Sequence, residues 1–447
     1  MKSKLTFVFI SLLTFNLTSY SQSTESEFSP PEWSYNKTIY EVNVRQYSRE
    51  SNFSGFEKHL PELKDLGVGI LWFMPIQPIG EKNRKGTLGS YYSVKDYKAV
   101  NPEFGSLGEF KVLVKEIHRM GMYVILDWVA NHTAWDNPWI TEHPDFYTKD
   151  SLGNIISPNP DWTDVADLNY DNQALRDTMI EALKFWVKEC DIDGYRCDVA
   201  GMIPIDFWID ARTELQKMKP VFMLAEWETP EMYKAFDMTY DWKMYDTMNN
   251  VVKGKKNAAN LFSCIENNEE NYPPNAFRME FTTNHDKNSW DGTVFERLGN
   301  AAEEFAVYTF MIPGMPLIYT GQEAGLDKRL AFFEKDSVSW KNHSFRKLYK
   351  SLVQLKKNND ALFCGERGGE LIHVSSSNDS SVLAFTRTKH KSKIFAIFNF
   401  SDKAVDCTLQ GDSMKGSYRN FFNGKVLTLK NGETFKLEPW RYKIFTK

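Results

Sequence analysis

Short, continuous apolar runs alternate along most of this chain with longer segments of helical period. After a polar, Pro-containing stretch, TIYEVNVRQY (38–47) is a β-branched run that reads as a first strand. FSGFEKHLPELKDLG (53–67) is amphipathic and stops at Gly67, and VGILWFMP (68–75) follows as a continuous apolar strand. The unit repeats with SLGEFKVLVKEIHRMG before MYVILDWV, ALRDTMIEALKFWVKEC before IDGYRCDVA, and DFWIDARTELQKMK before PVFMLAEWE. RMEFTTNHD follows, and the helix-like LGNAAEEFAVYTFMI leads to MPLIYTG; with a weaker unit at AFDMTYDW, eight strands are available. Parallel strands buried on both faces have this uninterrupted apolar character, and their number and the chain length predict an α/β fold, a (β/α)8 TIM barrel, over an open doubly wound sheet.

Two segments break the alternation. Residues 132–170 are rich in Asp, Asn, Pro and Trp with little helical period, which predicts an inserted domain in the loop after strand 3. From residue 363 to 447 the pattern becomes short strands separated by turn residues, an all-β sandwich domain. The barrel is then expected over 22–131 and 171–362. Residues 1–21 have the form of an export signal: Lys2 and Lys4, the run LTFVFISLLTFNL, then the small residues of TSYS. Thirteen helical residues reach only about 20 Å against a hydrocarbon core of roughly 30 Å, so a signal peptide is expected here and not a membrane span. The protein is expected to be periplasmic or extracellular, with no Cys near the cleavage point to take a lipid.

Composition narrows the functional classes. A formal charge of -5 with no long basic run gives no footprint for nucleic acid or an anionic membrane. Five cysteines, scattered and odd in number, do not form a disulfide framework. Aromatic residues make up 15% of the chain, a level suited equally to sugar-stacking surfaces and to an aromatic core.

In a barrel of this kind the chemistry sits at the C-terminal ends of the strands. Polar residues closing the apolar runs are Asp127, Asn131 and His132 after strand 3, Arg196 and Asp198 after strand 4, Glu226 after strand 5, and Asn284, His285 and Asp286 after strand 7. Singly, each carboxylate suits a helix cap or a loop tie. Together they form a charge cluster that would cost several kcal/mol to bury without use.

The segments DWVANH, GYRCDVA, LAEW and FTTNHD, in this order, resemble the four signature regions of the α-amylase superfamily of retaining α-glycoside hydrolases, and VADLN (165–169) resembles a fifth. The resemblance covers barrel, insert and C-terminal domain. It implies Asp198 as nucleophile, Glu226 as general acid and base, and Asp286 as stabiliser of the sugar's hydroxyls. It further implies His132 and His285 as donors to the sugar at the cleavage site, Tyr92 of YYSVKDY as the ring beneath it, and Asp127 as the support behind Arg196. Retention asks for one ionised and one protonated carboxyl group. Arg196 is expected to hold Asp198 ionised, and Glu226, near the other acids and beside Trp227, to keep the proton.

Other implied features are less determined. A calcium ion would take Asn131, Asp167 and the carbonyl of Met202; otherwise Asn131 bonds neighbouring backbone and Asp167 caps a turn. Arg329 after strand 8 either holds the glucan chain or forms a surface ion pair. Trp227, together with Trp135, Trp139, Trp162, Tyr240, Trp242 and Trp290, falls in segments expected near the rim, as sugar platforms or as core. Tyr91 stands where the family has Gly, and Gly201 and Met202 stand where many starch amylases have Lys-His. The implied substrate is an α-1,4-glucan or maltooligosaccharide. The departures open the alternatives of a neopullulanase- or cyclomaltodextrinase-like enzyme and of a transglycosylase sharing the same glycosyl-enzyme. A non-catalytic glucan-binding relative would lack a member of the triad, and none is missing.

Overall fold

The computed structural model describes residues 28–447, so the expected signal peptide lies outside the described residues. Eight strands form a closed, all-parallel barrel: β1 (Ile39–Val42), β2 (Ile70–Phe73), β3 (Tyr123–Trp128), β4 (Gly194–Cys197), β5 (Phe222–Ala225), β6 (Met238–Tyr240), β7 (Phe277–Glu280) and β8 (Met315–Tyr319). Each pairs with its sequence neighbours, and β8 returns to β1 through Ile39 opposite Leu317. The weakest of the expected strands, in AFDMTYDW, is β6.

Strand parity decides what each residue faces. Ile39, Ile70, Trp72, Ile125, Leu224, Met279 and Leu317 fill the barrel interior. Their neighbours Tyr40, Leu71, Phe73, Val124 and Leu126 pack outward in the larger core shared with the helices. The helices begin where local chemistry starts them. Leu107–Arg119 opens with a capping box in which Ser106 and Glu109 bond each other's backbone, and Gln173–Cys190 opens on Asn172.

Within the insert, His132–Ala134 and Val165–Asp167 form a two-stranded antiparallel sheet that sets His132 opposite Asp167. The C-terminal domain is all-β and antiparallel, built from β9 (Glu370–Ser376), β10 (Val382–Lys389), β11 (Ser392–Asn399), β12 (Val405–Gln410), β13 (Gly416–Asn420), β14 (Val426–Leu429), β15 (Glu433–Leu437) and β16 (Tyr442–Thr446). One face of β10 and β11, with Val382, Ala384, Phe395 and Ile397, closes over this domain's own core. The opposite face, with Leu383, Phe385, Ile394 and Phe398, joins the core of the barrel. All five cysteines are buried and free, and among the described residues no helix is long and apolar enough to cross a membrane.

Candidate active site

Four strand ends deliver one charge cluster to the C-terminal rim of the barrel. On β4, Arg196 takes the inward position between the outward Tyr195 and Cys197. Its Nη1 donates to Asp127 Oδ1 at 2.8 Å and to Asp198 Oδ1 at 3.0 Å, and its Nη2 lies 2.9 Å from Glu226 Oε2. One guanidinium therefore touches three carboxylates. The rings of Trp72, Tyr92 and Tyr240 surround it, with centroids 5.1, 5.7 and 5.8 Å away, and add cation–π attraction in a desolvated setting. Asp127 is fixed from its other oxygen by the Trp72 indole N–H and the Tyr92 hydroxyl, both at 3.1 Å.

The turn after β4 aims a backbone donor at the same cluster. Val199 has φ 38° and ψ 45°, an outlier for a β-branched residue, and its N–H donates to Glu226 Oε2 at 2.9 Å. Strain of this kind costs roughly 1–3 kcal/mol and collects at functional sites.

Electrostatics correct one expectation. Burial lifts the Asp198 carboxyl well above the usual carboxylate range, the charge of Glu226 adds to this, and Arg196 opposes it without prevailing. Next to a second acid in a desolvated site, the Asp198 carboxyl is harder to ionise than a free one. Arg196 itself stays charged, because Asp127 and Glu226 outweigh the effect of its burial.

The two histidines are set in opposite states. Burial lowers His132 to about 4, leaving it neutral. Burial also lowers His285, but Asp286 and Glu41 overcome it and raise the imidazole to about 9. The Nδ1 of His285 meets Glu41 at 2.5 Å, and its Nε2 lies 2.8 Å from the Tyr92 hydroxyl and 3.4 Å from Asp286 Oδ2. Tyr92 stacks on that imidazole, with ring planes 23° apart.

These groups open onto a cleft of about 470 Å³, lined by Asp198, Glu226, Asp286, His132, His285 and Tyr92. Trp162 and Trp290, both expected near the rim, also line it, whereas Tyr240 lies beneath it against Arg196. Trp227 borders the site by another route. Its ring lies on the backbone of Gly201, where an added Cβ would fall 2.0 Å from the ring. Tyr91 points away into the core, its hydroxyl donating to Asn43 at 3.0 Å and its face covered by Arg45. Arg329 is not brought to the cleft: its guanidinium is half exposed and paired with Glu296 at 2.9 Å, the surface alternative.

For a calcium ion the donor set is thin. The short strand pair brings Asn131 beside Asp167, but Asn131 directs its amide to His132 Nδ1 at 3.2 Å, and Asp167 is the sole carboxylate of the three positions. Among the described residues, no group of three His, Cys, Asp or Glu side chains is arranged to hold a metal ion.

Sequence reasoning missed Glu41, Lys85, Phe332 and Phe333, the last three of which line the cleft. Glu41 was within reach: it shares the inward parity of Ile39 on β1, as Asp127 shares that of Ile125 on β3.

Comparison with known proteins gives the same architecture. The family described as alpha amylase, catalytic domain matches residues 19–361, and the C-terminal domain of maltogenic amylase matches residues 372–444. A maltogenic α-amylase from Thermotoga neapolitana superposes with a TM-score of 0.85 at 31% identity, covering 92% of this chain and 98% of that one. An α-amylase from Lactobacillus plantarum gives 0.83 at 31% identity, covering 92% and 99%. The maltogenic α-amylase of Bacillus acidopullulyticus is 25% identical over 93% of this chain and 78% of its own length. With its barrel, insert and C-terminal β domain around a cleft of buried acids, the chain belongs to the α-amylase family and is a glycoside hydrolase of that type acting on α-glucans.

Proposed function

We propose that the protein cleaves α-1,4-glucosidic bonds of maltooligosaccharide-sized α-glucans with retention, in the manner of maltogenic and cyclomaltodextrinase-like enzymes and not as a random cutter of starch. The observation carrying this reading is the single guanidinium of Arg196 in contact with both Asp198 and Glu226 at the floor of the cleft. Acids gathered on one cation suit the separation of about 5–5.5 Å used for retention better than the 6.5–9.5 Å of inversion.

In the reacting form Asp198, in contact with Arg196, serves as the carboxylate nucleophile and Glu226 as the proton donor. Asp198 attacks the anomeric carbon, the bond to the glycosidic oxygen breaks, and Glu226 protonates the departing oxygen. Glu226 then takes a proton from water, or from a sugar hydroxyl in transglycosylation, and the incoming oxygen releases Asp198. Asp286 and cationic His285 bind the hydroxyls of the sugar resting on Tyr92, and neutral His132 supplies a further hydrogen bond.

On the leaving side, Trp227 over Gly201 offers an apolar face where many starch amylases carry Lys-His, which supports a substrate other than long starch. The maltogenic and cyclomaltodextrinase names among the relatives support the same class. The N-terminal signal pattern supports export. If calcium binds at Asn131, Asp167 and Met202 it acts structurally, and a melting curve unchanged by EDTA would exclude a tightly bound ion.

Incubation with starch, pullulan, cyclodextrin, maltoheptaose and sucrose, with products resolved over time, tests the reading. Small maltooligosaccharides released first as the α-anomer are expected. Rapid loss of starch viscosity with a broad product range, or β-anomeric products, would overturn it.

A further inference from the structure

We infer that Glu41 is a positioning residue of the active site: its carboxylate ends a hydrogen-bond chain that crosses the barrel to Asp198, and it gives every bond in that chain one direction. The direction is read from the donors. Arg196 can only donate, so Asp127 Oδ1 and Asp198 Oδ1 accept from its Nη1 at 2.8 and 3.0 Å. The Tyr92 hydroxyl donates to the other oxygen of Asp127 at 3.1 Å, which leaves its own oxygen to accept from His285 Nε2 at 2.8 Å. Nε2 therefore carries a proton. Nδ1 of the same ring meets Glu41 Oε1 at 2.5 Å, and the His285 backbone N–H points at that oxygen from 3.4 Å. A carboxylate accepting from both makes His285 an imidazolium, a donor at each nitrogen.

Glu41 is fully covered, so no substrate touches it. Its backbone carbonyl is held by the Thr320 N–H at 3.1 Å and the Thr320 hydroxyl at 2.6 Å, and its Oε2 is buried without a hydrogen-bond partner. The charge of Glu41 is thus spent on His285. Around that ring stand Glu41 from β1, Asp286 at 3.4 Å, Tyr92 from the loop after β2, and, further off, Asp127 from β3 and Arg196 from β4. Burial works against the imidazolium, Asp286 and Glu41 overcome it, and Arg196 opposes them. Burial raises Glu41 in turn, and the His285 charge, its hydrogen bond and Arg196 oppose this.

The two acids beside His285 differ in one respect. Asp286 is partly exposed to the cleft, where an entering sugar changes its surroundings, whereas Glu41 keeps the same contacts whether or not substrate is present. Without the Glu41 charge a neutral ring would offer Nε2 as an acceptor. Tyr92 would then turn its proton to Nε2, Asp127 Oδ2 would keep only the Trp72 N–H, and the donor facing the sugar would be lost. That His285 donates to a sugar hydroxyl rests on the α-glucan reading above; the chain from Glu41 to Asp198 does not.

The test has two readouts on the full-length protein. In ¹⁵N-histidine-labelled enzyme without substrate near neutral pH, the His285 signal, assigned by its loss in His285→Gln, should show protons on both ring nitrogens. A neutral ring would overturn the proposal, and this measurement needs no change at Glu41. The second readout uses Glu41→Gln, which keeps the shape and an acceptor but removes the charge. With maltoheptaose as substrate, and after a melting curve confirms folding, its kcat/KM relative to the unaltered enzyme should fall by about tenfold or more from about pH 5.5 to about pH 8. Glu41→Asp, which keeps the charge, should fall less. A ratio independent of pH in folded Glu41→Gln would leave Glu41 a packing role and overturn the proposal. Failure of the unaltered enzyme to cleave maltoheptaose would instead overturn the α-glucan reading, with the imidazolium signal still deciding the chain.

Discussion

The barrel holds two clusters of nearly the same composition, one arginine among three acids, on opposite sides of its wall. Inside, Arg196 meets Asp127, Asp198 and Glu226. Outside, Arg278 pairs with Glu228 at 2.7 Å and with Asp241 at 3.4 Å, next to Glu280. In the outer cluster Asp241 and Glu280 are covered, and Glu228 is occupied by Arg278 and the Lys243 N–H. Burial, with Asp241 second, raises Glu280 well above the carboxylate range, and both its oxygens are buried without a hydrogen-bond partner. In the inner cluster the Asp198 and Glu226 side chains keep 10% and 13% of their surface, and Asp286 keeps 36%, all facing one cleft. Buried charge and shifted acids alone do not mark a catalytic site. Arg278 and Glu280 also border a cavity, of about 310 Å³, but Glu280 is almost wholly covered there. What sets the inner cluster apart is that Asp198 and Glu226, with Asp286 beside them, keep exposed surface toward one larger cleft.

The contrast predicts effects of different kind and size. Asp198→Asn should lower turnover by about 10⁴-fold or more while oligosaccharide binding persists, measured by hydrolysis rates and calorimetry. Arg278→Ala should instead cost about 3–5 kcal/mol of stability by leaving Glu228 and Asp241 unpaired, with kcat per folded molecule unchanged. Glu280→Gln, which mimics the neutral acid, should do little to either. A large loss of kcat in folded Arg278→Ala would erase the distinction between the clusters.

A smaller effect is expected in the pH dependence of stability. His285, at about 9 in the fold, contributes fully below the unperturbed 6.5, and its contribution is lost as pH rises toward 9. His132, at about 4, contributes fully above 6.5, and its contribution is lost as pH falls toward 4. Each flank is worth on the order of 3 kcal/mol, so denaturant unfolding from pH 4 to 9 should show a maximum near 6.5. His285→Gln should flatten the alkaline flank and His132→Gln the acid one.

Strand parity also explains how far the sequence was legible. Apolar runs such as VGILWFMP announce buried parallel strands, and polar residues ending them announce the rim, so the barrel and the acids Asp198, Glu226 and Asp286 gathered at its rim could be read directly. Parity further separates Arg278 and Glu280, which alternate with inward Met279, from Asp127 and Arg196, and it places Glu41 inside. The rim loops were not legible, because Lys85, Thr87 and Glu334 lie in polar segments without period and meet only across the fold. Nor was the state of Asp198, which depends on the balance between burial, Glu226 and Arg196 and not on the spacing of the arginine.

The most direct test of the central claim is to trap the intermediate with a fluorinated α-maltosyl fluoride that forms the glycosyl-enzyme faster than it is hydrolysed, and to map the adduct by peptide mass spectrometry. A maltosyl ester on Asp198, absent from Asp198→Asn, is the predicted result. An adduct on another residue, or inverted products with no adduct, would contradict the account.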